Sequence, residues 1–210
     1  MVAKTAGRAL LFTFFSLGLS AQTTALSFRP VASEFSSSLN RIIMISESPN
    51  LLHIYSPDSG TATTVSLAMA PLSLSVSPDG LHAAVGHDAQ ISYVNLSSAS
   101  VERVYSVAVK TTVIVLSPTY IYAADVNAHF SNLYSIVIST GAATSRSYFY
   151  APSGLRLHPG GNALYSTRDG TSPNDIERFD ISTGPFSAQT DSPYHGDYSF
   201  CGGVWFSPDG

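Results

Sequence analysis

The chain has 210 residues, 44% hydrophobic and 11% aromatic but only 11% charged, against roughly 25% charged in an average globular domain. So few charges argue against a coiled coil, a disordered tail or a nucleic-acid binder. Ten Lys+Arg against fourteen Asp+Glu leave a net charge of −4, which supplies no pull towards phosphate backbones or anionic membranes.

Residues 1–25 read as a secretory signal. Lys4 and Arg8 form a basic head, Ala9 to Leu19 is an apolar run, and the small residues Ser20, Ala21 and Ala25 follow, the order of a cleavable export sequence. The apolar run is 11 residues long, short of the roughly 18 needed for a membrane span, so no span is expected after cleavage at Ala21 or Ala25. The expected location is secreted, periplasmic or cell-surface. Export permits disulfides, yet Cys201 is the only thiol and could pair only outside this segment.

From residue 26 onwards a unit repeats. A short apolar strand ends in Ser or a near equivalent at Val31–Ser36, Leu72–Ser77, Thr112–Ser117, Ser153–His158 and Gly202–Ser207, and the intervals between the closing residues are 41, 40, 41 and 49. A period near forty marks one supersecondary unit used repeatedly. A tight turn follows each mark, clearest in Ser77-Pro78-Asp79-Gly80, where Pro presets φ and Gly supplies positive φ. Second strands are predicted at Arg41–Ile45, Leu81–Val85, Tyr120–Ala124 and Asn162–Ser166. Third strands fall around Leu52–Tyr55, Ile91–Val94, Leu133–Ile136 and Ile176–Phe179. More polar fourth strands close the unit, as at Val101–Val107 and Ala143–Phe149.

Four antiparallel strands in about forty residues make the blade of a β-propeller. The predicted blades cover 31–70, 71–110, 111–152 and 153–200, and 201–210 begins a further one. Strand one should sit at the channel, covered on both faces, with Trp205 as core. Strand four should lie at the rim, where Glu102, Arg103, Ser145 and Arg146 discourage edge pairing. The fold expected is therefore all-β: an incomplete propeller whose further C-terminal blades or modules lie outside this chain. The alternative is a four-bladed ring closed by Val204–Phe206 on the first blade.

The Ser-Pro-Asp-Gly turn opening a strand pair, followed by a strand ending in an Asp-x-x-x-Gly-like turn, resembles the repeats of the YVTN and WD40-like propellers of exported bacterial proteins, including the lactonase-like group. The resemblance runs from about Val31 to Gly210 and implies a propeller. The Tyr-Val-Thr-Asn quartet itself is replaced by His82-Ala-Ala-Val85, Tyr120-Ile-Tyr-Ala123 and Ala163-Leu-Tyr-Ser166, and no lactonase catalytic motif can be matched.

In such a blade the loops from strand two to three and from strand four to the next strand one emerge on one face. That face would carry His87 and Asp88, then Asp125, Asn127 and His129, then Asp169 and Asp175, and finally Tyr194, His195 and Asp197 from the long 4-to-1 connection. His and carboxylate could bind a cation or act as acid and base, and the tyrosines could stack on a sugar. Asp and Asn in hairpin loops also cap turns by bonding their own backbone. His53 and His82 lie within strands and read as structural, and His158 should cap its turn as Ser does. No metal-ligand, phosphate-cradling or nucleophile motif occurs, so no cofactor or metal is expected. The reading is a non-enzymatic binding module for a protein or glycan, with no nucleic-acid partner. The alternative is a lactonase-like hydrolase or lyase using the same face.

Overall fold

The computed structural model describes residues 25–128, 131–148, 154–167, 176–188 and 203–207. Every regular element among them is a strand. The first blade holds β1 (Ala32–Ser36), β2 (Arg41–Ser46), β3 (Leu51–Ser56) and β4 (Thr61–Ser66). The second holds β5 (Ser73–Val76), β6 (His82–Gly86), β7 (Asp88–Asn95) and β8 (Ser100–Lys110). The third holds β9 (Val113–Leu116), β10 (Tyr120–Ala124), β11 (Ser131–Val137) and β12 (Ala143–Tyr148), and the fourth β13 (Gly154–Leu157), β14 (Ala163–Thr167), β15 (Glu177–Asp180) and β16 (Ser187–Ala188). Each sheet is an antiparallel meander in chain order, the four-stranded blade expected from the repeat.

Side chains alternate across each strand, so every blade has two faces, and neighbouring blades pack face to face. Ile43, Ile45 and Leu52 of the first meet Ala83, Val85 and Val94 of the second. Ile91 and Tyr105 of the second meet Ile121 and Ile136 of the third. Tyr122 and Leu133 of the third meet Leu155, Leu164 and Phe179 of the fourth. Fully burying each such aliphatic or aromatic side chain contributes about 1.5–3 kcal/mol, so these three layers are the main cohesion of the stack.

The closing residue of each inner strand fastens the turn that follows it. Ser77 Oγ accepts from the His82 N–H at 2.9 Å, and Ser117 Oγ accepts from the Tyr120 N–H at 2.9 Å. His158 Nδ1 accepts from the Gly160 N–H at 3.0 Å, the capping role expected of it. Gly80 sits at φ 72° while its N–H bonds the Ser77 carbonyl. A Cβ there would lie 2.9 Å from Ser36 Oγ of the neighbouring blade, so glycine is required by both conformation and packing.

A second device joins the inner strands. Two residues before the mark, Glu34 Oε2 accepts from the Val76 N–H at 2.6 Å, and Ser75 Oγ accepts from the Leu116 N–H at 3.0 Å. An inner strand has a free edge on the channel side, and at these points the preceding blade supplies the missing acceptor.

Two expectations are corrected. Strand one is covered in the second and third blades, but β1 exposes Ser33 and Phe35, the latter 57% exposed, because among the described residues no blade packs on that outer side, and it exposes Glu34 towards the channel. Trp205 is 76% exposed rather than core. Its neighbour Phe206 makes the packing contact instead, its ring 4.9 Å from Tyr165 and 5.3 Å from His158. Residues 203–207 join no sheet and do not pair with the first blade, so the described residues contain no four-bladed closure.

Candidate functional site

The loop face assembles as the blade geometry requires. Thr112, in the connection from β8 to β9, donates through Oγ1 to Asp125 Oδ1 at 2.9 Å and accepts from the Val126 N–H at 2.9 Å. The Thr111 N–H reaches the His87 carbonyl at 2.9 Å. The 2-to-3 loops of the second and third blades therefore meet the connection from β8 to β9 on one side of the molecule.

On that side His87 is wholly buried. The Ala70 carbonyl, 3.0 Å from Nδ1, can only accept, so Nδ1 carries the proton and Nε2 accepts from the Ser92 hydroxyl at 2.9 Å. Loss of water around the ring pushes its pKa below the ordinary value, against a smaller opposing pull from the Ala70 and Met69 backbone. His87 thus works as a neutral staple between the blade 1-to-2 connection and β7. Asp88 belongs to β7 rather than to a loop, exposed and opposite Lys110 in the ladder. The connection from β6 to β7 is His87 alone.

Asp125 caps its own turn. Besides Thr112, its Oδ1 accepts from the backbone N–H of Asn127 at 3.0 Å and from Asn127 Nδ2 at 3.4 Å, leaving the exposed Asn127 bound to its neighbour. His129, Asp169, Asp175, Tyr194, His195 and Asp197 lie outside the described residues, as does Cys201. Among the described residues no three His, Cys, Asp or Glu side chains converge as a metal site, and no helix is long and apolar enough to cross a membrane.

Beside Asp125 a groove of about 450 Å³ runs between the second and third blades, lined by Val109, Ser131, Asn132, Tyr134 and Ser147. Its lining mixes neutral polar groups with the apolar Val109, carries the one carboxylate of Asp125, and includes one half-buried aromatic ring. Asn132 and Tyr134 were not legible as site residues, because inside a strand they read only as part of the β11 alternation.

Two other features complete the picture, the first of them the structural role expected of His53. His53 is buried, bonded through Nε2 to Ser46 Oγ at 2.9 Å, and covered by the Phe28 ring at 3.8 Å and 7°. Burial holds its pKa down. Glu34 and Arg156, from β1 and β13, line a second cavity of about 370 Å³ at the axis between the inner strands. Glu34 is open to that channel yet walled by enough protein that loss of water raises its carboxyl above the ordinary value, partly offset by the Val76 N–H and by the Arg156 charge.

Radial blades, each a meander of four strands around a shared axis, define a β-propeller. The chain is similar in fold to hydrazine synthase of Kuenenia stuttgartiensis (TM-score 0.63, 19% identity, 81% of this chain and 50% of that one). It is likewise similar to the β-propeller domain of Cps50 (Swd1) from Myceliophteria thermophila (TM-score 0.64, 11% identity, 80% and 56%). A third similar structure is the Pan2 WD40 domain of Neurospora crassa (TM-score 0.57, 13% identity, 80% and 54%). The chain spans about half the length of these solved chains. No family of known sequences and no curated protein matches it.

Proposed function

We propose that this propeller is an exported binding module of the YVTN and WD40-like kind, holding a protein or glycan partner on its loop face. One observation carries the reading: His87 and Asp125, the loop histidine and loop carboxylate of that face among the described residues, are tied into the scaffold. His87 has both ring nitrogens engaged in a buried site, and Asp125 Oδ1 closes its own turn. A hydrolase using either of these two groups would need it free to move a proton. The groove beside Asp125 presents Asn132, Ser131, Ser147 and the Tyr134 ring, groups that give hydrogen bonds and an apolar surface to a partner.

The test is a glycan array and a displayed-peptide library screened with the full chain, followed by Tyr134→Ala and Asn132→Ala. A ligand whose affinity falls at least tenfold in either variant, with thermal unfolding unchanged, supports the reading. Binding indifferent to both variants, or lactone hydrolysis abolished by Asp125→Ala, overturns it. Export is tested separately by N-terminal sequencing of the released protein, which should begin after Ala21 or Ala25.

A further inference from the structure

The axial cavity is chemically unlike the loop face. Val76, Val115, Leu116 and Leu157 give its walls apolar stretches, beside the polar Ser75 and His158. Into it project one carboxylate and one guanidinium from the first and fourth blades. Each is anchored by a single contact: Glu34 Oε2 to the Val76 N–H at 2.6 Å, and Arg156 Nη1 to the Leu155 carbonyl at 2.9 Å. Glu34 Oε1 and the outer N–H groups of Arg156 are left for something else.

The two charges form no direct ion pair. Those between described residues are His82 with Glu102 and Arg146 with Glu177. Arg156 nevertheless lies near enough for its field to reach Glu34. Opposite charges set apart across a space with apolar stretches of wall select a molecule carrying both complementary charges and an apolar body. A lone anion would meet Glu34, and a lone cation would meet Arg156, each with the wrong sign. A volume of about 370 Å³ stands at the small end of ligand pockets, which span roughly 300–1,000 Å³.

We propose that the axial channel binds a small zwitterion with an apolar side chain, an α-amino acid being the simplest, with its ammonium group at Glu34 and its carboxylate at Arg156. The guanidinium meets a carboxylate with two parallel N–H donors, while the ammonium takes the free Glu34 oxygen. The apolar side chain lies along Val76 and Leu157. No bond is made or broken, and the site is independent of the loop-face groove.

Isothermal titration of the full chain with L-leucine and L-phenylalanine tests this, beside isopentylamine, which lacks the carboxylate, and 4-methylpentanoate, which lacks the ammonium. The expected result is saturable binding of the amino acids and at least tenfold weaker binding of both analogues. Glu34→Gln retains an acceptor for the Val76 N–H, and Arg156→Gln removes the guanidinium; each should weaken amino-acid binding at least tenfold. Tyr134→Ala, in the groove, should leave it unchanged. Absence of amino-acid binding to the folded wild type, equal binding of the analogues, or binding unaffected by Arg156→Gln overturns the proposal, whatever the loop face binds.

Discussion

Replacing His87 by Gln tests whether a loop-face histidine is part of the scaffold. The ring is buried and neutral in the fold and its pKa is depressed from 6.5, whereas in the unfolded chain it titrates at its ordinary value. Above pH 6.5 both states are neutral and the full stabilisation is present. As the pH falls through 6.5 the unfolded chain takes up a proton that the folded one refuses, so stability is lost on acidification. A histidine that stays neutral in the fold costs about 1.4 kcal/mol by pH 5.5. His53, whose pKa is also held down by burial, acts in the same sense. Both groups should therefore make wild type lose stability between pH 7.5 and 5.5. Glu34 acts in the opposite sense: its raised pKa gives a contribution present at low pH and lost as the pH rises through the folded value. The difference between wild type and variant cancels that effect. Urea unfolding at both pH values, extrapolated to water, should show His87→Gln less stable at pH 7.5 by about 1–3 kcal/mol, for the unmet Ala70 carbonyl and Ser92 hydroxyl. Its acid-induced loss should be smaller than that of wild type by up to about 1.4 kcal/mol. An identical pH dependence in the two proteins, or a larger acid-induced loss in His87→Gln than in wild type, would refute the neutral-staple assignment.

Gly86→Ala should destabilise by about 1–3 kcal/mol through overpacking, read as a lower thermal midpoint, because the new Cβ would run into Ser73 Oγ and lie 2.7 Å from the Thr111 carbonyl. Tyr122→Phe should cost about 1–2 kcal/mol in urea unfolding, since its hydroxyl satisfies the Pro185 carbonyl at 3.0 Å from a buried site. Burial raises the pKa of that phenol well beyond its usual value, so alkaline difference spectroscopy should find one tyrosine fewer in the last titrating class of the variant. Ser75→Ala leaves the Leu116 N–H without its acceptor and should cost about 1–2 kcal/mol by the same measurement, whereas Ser75→Thr should recover most of it.

The blades were legible because each carries its own period and its own turn chemistry. Tyr120–Ala124 was placed to the residue, since Ser117 closes the turn before it and the Ser139-Thr-Gly141 turn follows its partner strand. Leu81 was assigned one residue too early because its N–H is taken by Asp79 Oδ1 within the turn. The fourth strand of the second blade runs eleven residues, to Lys110, where local propensity suggested a stop at Val107. Its ladder with β7 absorbs two register irregularities that composition does not announce. The site was far less legible. Period tells which positions are equivalent but not what the adjacent blade brings to them: Glu34 looked like an ordinary strand residue until Val76 supplied its partner, and His87 looked like an exposed loop residue although its ring turns inward. Asp125 and Asn127 could be read either way from sequence, and the hydrogen bonds of Asp125 supply the cap.

Among the described residues four blades share three packed layers, so the second and third blades are sandwiched while the first and fourth each pack on one described neighbour. In a linear array of this kind the free energy is a sum over units and junctions, and opening begins where only one junction must be lost. Amide exchange should accordingly be slowest in β6 and β10 and fastest in β1, where Phe35 faces outward. A body that covers that outer side adds a junction, converting its affinity directly into resistance of the first blade to unfolding. At that end of the stack, recognition and folding are a single equilibrium.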